Sequence, residues 1–258
     1  MKPPLFDDRA RLLVRDRAAT LPDAFLFDRL FDEILDRLDL LVRPARRVLL
    51  VGAPRPGWTA ELERRGMAVT VIEPGRRLAQ LVDGLPELPL DLPPFDLAVA
   101  LTLLETVEQL PVRLAAIRRS LAPNAPLLGT MLGGDSLPQL RRTMIAFDQR
   151  RGSIAPRIHP RVDPPTLAAL LVAAGFAEPV IEVDRVELRY SGFDRLLGDL
   201  RAHGASNVLA ARSRAYAGRA ALATLRRLFL EGAEQDRVSE RIDLLQFIGW
   251  TPALPARR

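Results

Sequence analysis

Two short aliphatic runs, each closed by a residue with useful chemistry, constrain the fold of this chain more than any other feature. Val48-Leu49-Leu50-Val51 ends at Gly52, and Ala68-Val69-Thr70-Val71-Ile72 ends at Glu73. Strands this apolar belong inside a sheet covered on both faces. A strand feeding a glycine turn and a helix aims free backbone N–H groups at a polar or anionic ligand, and an acid after the next strand is placed to accept from ribose hydroxyls. The frame is that of a nucleotide-type cofactor site.

The turn itself departs from that frame. Glycine spacing counted from Gly52 falls on Pro54 and Pro56. Proline has no N–H to donate, and it biases the preceding Ala53 and Arg55 toward extended backbone. Gly57 is still free to open the following helix. Two readings stay open: a ligand turn that has lost donors, or a plain strand-to-helix connection.

Periodicity extends the pattern in both directions. Phe27, Leu30, Phe31, Ile34, Leu38 and Leu41 recur at helical spacing, so an amphipathic helix over 24–41 precedes the first strand. The order then reads strand 47–51, helix 58–65, strand 68–73, helix 75–83, strand 95–101, helix 109–121 and strand 126–132, the alternation of a parallel sheet with helices on both faces. The proline-rich stretch 85–94 is either a mere connector or a crossing of the sheet's carboxyl edge, where such folds hold ligands.

After residue 132 the character changes. Gly133, Gly134, Asp135 and Ser136 end a strand, with Asp135 or Ser136 as the cap of a helix running to about residue 150. Residues 152–161 form an irregular cationic loop carrying Arg157 and His159. Helix 164–174 stops at Gly175. Residues 180–190 read as a kinked strand or a hairpin, helices 192–202 and 212–231 follow, and a last strand spans 242–249. Tyr190 and Trp250 are assigned to the core. Helices between late strands suit a lid over a site. We divide the chain into an N-terminal helical segment (1–44), a Rossmann-like cofactor half (45–135) and a substrate and lid half (136–258) completing the same sheet.

Composition removes several chemistries. The 258 residues include no cysteine, so thiolate metal sites, disulfides and thiol nucleophiles are excluded. Lys2 is the sole lysine, which rules out a Walker-type loop or an internal Schiff base. With only His159 and His203, a two-histidine metal site would require distant segments to converge, and no metal is assigned. The net charge of +5 comes from arginines interleaved with acids, and aromatics are only 5%. Clustered charge and stacking rings are therefore missing, and nucleic acid is not expected as a partner. No stretch approaches the ~20 apolar residues of a membrane span. Asp7 and Asp8 break up the start of the chain, so it reads as neither secretory signal nor transit peptide, and a cytoplasmic location is expected.

Several segments taken together resemble a known family. They are Leu5 to Leu12 with Asp16 to Ala19, Phe95-Asp96-Leu97, Leu110-Pro111, Met131 to Leu137 with Leu140-Arg141, Ala155 to Pro160, Ala174 to Phe176, Asp199 to Arg201 with Gly204 to Asn207, and Ile248 to Pro252. The chain resembles the class I S-adenosylmethionine methyltransferases and, within them, the complex I assembly factor five family, known for methyltransferase or arginine-hydroxylase activity. The malonyl-carrier-protein O-methyltransferases are more distant kin.

The resemblance implies an α/β, Rossmann-like sheet with helices on both faces and a helical lid before the last strand. It carries Gly52, Gly57 and Glu73 over as cofactor-binding residues. Gly133, Gly134, Asp135, Arg141, Arg157, His159, Asp199, Arg201, Ser206 and Asn207 become residues facing a substrate or partner; no catalytic residue is identified. Leu50 stands where an acid is expected, the expected acidic pair near a third strand is blurred into Asp83 to Glu87, and an expected His-Trp pair reads Glu105-Thr106.

Two functions are compatible with this. One is S-adenosylmethionine-dependent modification of a protein side chain during assembly of a respiratory NADH dehydrogenase, with a complex I subunit as substrate or partner. The other is a cofactor-poor relative that works as a binding or assembly factor without catalysis.

Overall fold

The computed structural model describes residues 3–21, 24–53, 55–89, 92–152, 155–214 and 218–253; Pro54 lies outside the described residues. Two helices, α1 (Asp8–Ala18) and α2 (Phe25–Asp39), precede β1 (Arg47–Val51), α3 (Pro56–Arg64), β2 (Ala68–Ile72), α4 (Arg76–Val82), β3 (Leu97–Leu101), α5 (Leu110–Ser120) and β4 (Pro126–Leu132). Then come α6 (Pro138–Arg151), α7 (Pro164–Ala173), β5 (Ala177–Tyr190), α8 (Phe193–Ala202), α9 (Arg219–Leu230) and β6 (Val238–Trp250).

One sheet runs in the order β2-β1-β3-β4-β6-β5. β1 to β4 run parallel to one another, and β6 is antiparallel to both β4 and β5. The chain steps outward from β1 to β2 and then returns to β1's other side for β3, so a topological switch point opens at the carboxyl ends of β1 and β3. Ligands of open α/β sheets bind in that crevice. Residue 85 pairs with Ile72 only as an isolated bridge, so the segment after α4 adds no full strand.

The apolar runs behave as their composition demands. Every residue of β3 is buried, as are Val48 to Val51 of β1. One core lies under α2, α3, α4, α8 and α9, and the other under α5 and α7. The helices α8 and α9 stand between β5 and β6 in sequence, as expected of a lid before the last strand.

Two local expectations are corrected and one pair of alternatives is decided. Neither Asp135 nor Ser136 caps α6. Leu137 precedes that helix in a left-handed conformation at φ +59°, and the Ser136 hydroxyl donates instead to the Gly133 and Asp243 carbonyls. The cap comes from β6: the Glu240 carboxylate accepts from Gln139 N at 3.2 Å and Leu140 N at 2.5 Å. Of the two readings of residues 180–190, the kinked strand holds and the hairpin does not. These residues belong to one 14-residue strand whose irregularity lies earlier, between Ala177 and Val180. Finally, α9 starts at Arg219, not residue 212, after Gly218.

Candidate functional site

The switch point is closed by a side chain from α1. Arg15 reaches across the carboxyl edge of the sheet, donating from Nε to Glu73 Oε1 at 2.7 Å and from Nη2 to Oε2 at 2.5 Å. Its Nη1 donates to the Thr102 carbonyl just past β3, at 2.7 Å. Glu73 is 0% exposed and Arg15 8%. Two backbone donors complete the Glu73 shell, Ala53 N at 3.3 Å and Gly75 N at 3.1 Å. Burial opposes the Arg15 charge, but the Glu73 carboxylate outweighs it and raises the guanidinium above its ordinary pKa.

Neighbouring atoms hold this arrangement in place. Asp16 Oδ1 accepts from Arg77 N at 3.0 Å and Leu78 N at 3.1 Å, which pins α1 to the first turn of α4. Gly52 has φ +87°, and a methyl built there would collide with the Leu101 carbonyl and meet Leu103 Cβ at 3.1 Å. Its N–H donates to the Ile72 carbonyl at 2.9 Å. Thr102 holds φ +60°, a strained position for a β-branched residue.

The adenosyl seat expected here therefore does not fit a ribose as it stands. Glu73 has two guanidinium and two amide donors on its oxygens, and the Gly52 N–H already has an acceptor. Gly57 is exposed in the first turn of α3, with nothing within 4 Å of a built methyl. The structure brings Gly52 and Glu73 together, but the third partner is Arg15 and not Gly57.

A second constellation lies beneath the lid. Phe25, Phe27, Leu30, Glu105, His159, Arg161, Tyr190, Asp199, His203 and Leu244 are among the residues lining a cavity of about 120 Å³. Both histidines have structural partners. His159 Nε2 accepts from Val208 N at 3.0 Å; burial, then the nearby Arg161, lowers its pKa to about 4, so the ring is neutral. His203 Nδ1 sits 2.7 Å from the Asp199 carbonyl, while Nε2 accepts from Leu26 N at 3.2 Å. That pairing makes Nδ1 the protonated nitrogen, and burial lowers this group too.

Other charges around the cavity are shifted by the same burial. Arg161 is pushed down to about 10, first by desolvation and then by Arg141. Tyr190 rises, first by burial and then through its hydrogen bond to Asp199. The Glu105 carboxyl is raised by burial, against the pull of its own backbone N–H and of Arg15.

Two of the family-matched segments converge on this lid. Asn207 Nδ2 donates to the Pro156 carbonyl at 2.9 Å, and its Oδ1 accepts from Leu209 N at 3.0 Å. With His159 on Val208, this stitches the 155–160 loop to the chain after α8. Arg157 clasps Asp148 through Nε and Nη2, at 2.6 Å for the shortest contact, and covers the Phe147 ring.

The remaining candidates lie elsewhere. Gly133 donates to Asp243, Arg141 Nη2 donates to the Gly134 carbonyl, and Asp135 is an exposed partner of Arg241 at 3.6 Å. Arg201 and Ser206 line a separate cleft beside α1 with Arg17 and Arg212. Tyr190 is buried in the core and also lines the lid cavity, whereas Trp250 is only partly buried.

Sequence reasoning missed Arg15, Arg161 and Glu240. A buried arginine has no local signature, because charge in an amphipathic helix reads as surface. Glu105 carried a signal, as an acid in place of an expected His.

Comparison with known proteins places this geometry. No family model matches the chain. It is 27% identical to the mitochondrial arginine-hydroxylase NDUFAF5 of Danio rerio, over 98% of this chain and 86% of that protein. The malonyl-[acyl-carrier protein] O-methyltransferase of Laribacter hongkongensis is also 27% identical, over 98% of this chain and 93% of that one. In fold it matches a Bacillus halodurans protein named as a methyltransferase, with TM-score 0.56 and 10% identity over 86% of this chain and 99% of that one. Sheet order and lid give this chain the Rossmann-like fold seen in solved methyltransferases, and its sequence is similar to those of the NDUFAF5 and malonyl-[acyl-carrier protein] O-methyltransferase proteins.

Proposed function

We propose that this chain is a methyltransferase-fold binding factor in the assembly of a respiratory NADH dehydrogenase, with its adenosyl seat closed by its own α1. The observation that carries this is the Arg15 guanidinium on Glu73 and on the Thr102 carbonyl, in the crevice where a nucleoside would lie. Pro56 in the strand-to-helix turn adds to it by removing an N–H donor. The lid, where the family-matched loops converge, is then the working surface toward a protein partner.

A second reading is favoured by the relatives' names, which are those of enzymes. In it the chain binds S-adenosylmethionine and modifies a protein side chain, which requires α1 to leave the crevice. Calorimetric titration with S-adenosylmethionine and S-adenosylhomocysteine separates the two. The binding-factor reading expects no heat and no thermal shift at millimolar ligand, whereas a ligand at 100 times its dissociation constant would stabilise by roughly 2.7 kcal/mol. A clear shift would overturn the binding-factor reading. The P54G/P56G double variant probes the turn: gained binding there, absent in the parent, would identify the prolines as the obstacle.

A further inference from the structure

The lid cavity has an apolar body with an acidic end. Phe25, Phe27, Leu30 and Leu244 supply part of the apolar wall. At the carboxyl edge of β3, Glu105 and Thr102 both line the cavity, and Glu105 Oε2 and Thr102 Oγ1 are buried without a hydrogen-bond partner. Buried polar atoms in native folds are almost always paired, so an orphaned carboxylate oxygen beside an orphaned hydroxyl calls for a ligand with at least one donor.

The charges lining the cavity narrow the ligand's chemistry. Glu105 and Asp199 are the acids on the wall, Arg161 is its one arginine, and each histidine ring accepts a backbone N–H, so acids outnumber cations there. Arg161 is itself anchored, donating from Nη1 to the Ser136 carbonyl at 2.9 Å. A cation completes the balance, and the rings of Phe25, Phe27 and Tyr190, which line the same cavity, supply aromatic surroundings. The cation's shape follows from the acceptors. A guanidinium brings five donors in a flat fork and would leave some unpaired against two orphaned oxygens, whereas an ammonium is a compact head with three.

We infer that the lid cavity is a binding site for an amine carried on an apolar or aromatic body, with its ammonium on Glu105 and Thr102. This goes beyond the binding-factor reading and is tested without any nucleoside present, so its failure leaves the S-adenosylmethionine titration standing on its own result. The full chain is titrated by calorimetry and ligand-observed NMR at pH 7 with 2-phenylethylamine, 2-phenylethanol, 3-phenylpropionate and 2-phenylethylguanidine. The amine is expected to bind at least about tenfold more tightly than the other three. Glu105→Gln keeps the side chain's shape and is expected to weaken the amine by about tenfold or more. Thr102→Val removes the second acceptor without changing branching, and should weaken the amine severalfold. Absence of amine binding at 10 mM or an equal or tighter alcohol, carboxylate or guanidine overturns the inference. So does amine affinity unchanged in folded Glu105→Gln; if that variant does not fold, unchanged affinity in Thr102→Val decides against it.

Discussion

Arg15 and Glu73 were both taken out of water, which costs several kcal/mol per ion, and the pair persists because the guanidinium fork and two backbone amides satisfy the carboxylate. Removing one partner strands the other charge. Arg15→Met is expected to lose about 3–5 kcal/mol by urea denaturation, while Arg15→Met with Glu73→Gln recovers at least half of it. Equal losses in the single and double variants would sink the claim that the stranded charge is the cost. A second residue-scale prediction concerns His159. Its folded pKa of about 4 lies below the ordinary 6.5, so the unfolded chain binds more protons between those values. The resulting stability is fully present above pH 6.5 and declines as pH falls toward 4, by up to about 3 kcal/mol. His159→Gln, which keeps an acceptor for Val208 N, should remove that part of the pH dependence; a matching acid slope in both proteins would refute it. The sequence announced Glu73 and Gly52, because the ends of apolar strands are local features. It did not announce Arg15, whose partner lies 58 residues away.

Elements were legible where their pattern is internal and obscure where another element completes them. The 3.6-residue spacing of α2 and the apolar runs of β1 and β4 placed those elements to within about two residues. The α6 start went astray because its cap is supplied from β6, 100 residues on in the case of Leu140. Glu240 is raised by burial, against the pull of those amides, and its loss would leave two helix-start donors without a partner. Glu240→Ala is expected to cost about 1–3 kcal/mol in chemical denaturation, more than an Asp135→Ala change at the exposed residue expected from the sequence to cap this helix. The reverse ranking would return the cap to Asp135. β5 was obscured for another reason. It is an edge strand whose exposed charges, among them Glu182, Arg185, Glu187 and Arg189, discourage further strand addition, and its alternation slips once, at Glu182-Val183, where two successive residues are exposed. Its twelve pairings with β6 decide for the strand and against the hairpin.

Across the whole molecule, the strands before and after residue 135 share one sheet. β4 pairs with β6 over seven residues from Pro126 to Leu132, and the core beneath α2 mixes Leu50 and Val99 with Phe193, Phe229 and Ile242. Residues 1–135 on their own would expose the β4 edge and the part of that core covered by Phe193, Phe229 and Ile242. Such a fragment is expected to show no cooperative thermal transition by circular dichroism, and a sharp one would establish the first half as an independent unit. The α/β class and the lid were readable from element order alone, while the closure of the crevice was not, since it depends on how α1 docks. That docking also sets a tempo. A nucleoside reaching the crevice would have to wait for a helix to depart, so its observed association rate would level off at the helix's own first-order departure rate however concentrated the nucleoside became. Its apparent affinity would be scaled down by the fraction of molecules found vacated at any instant.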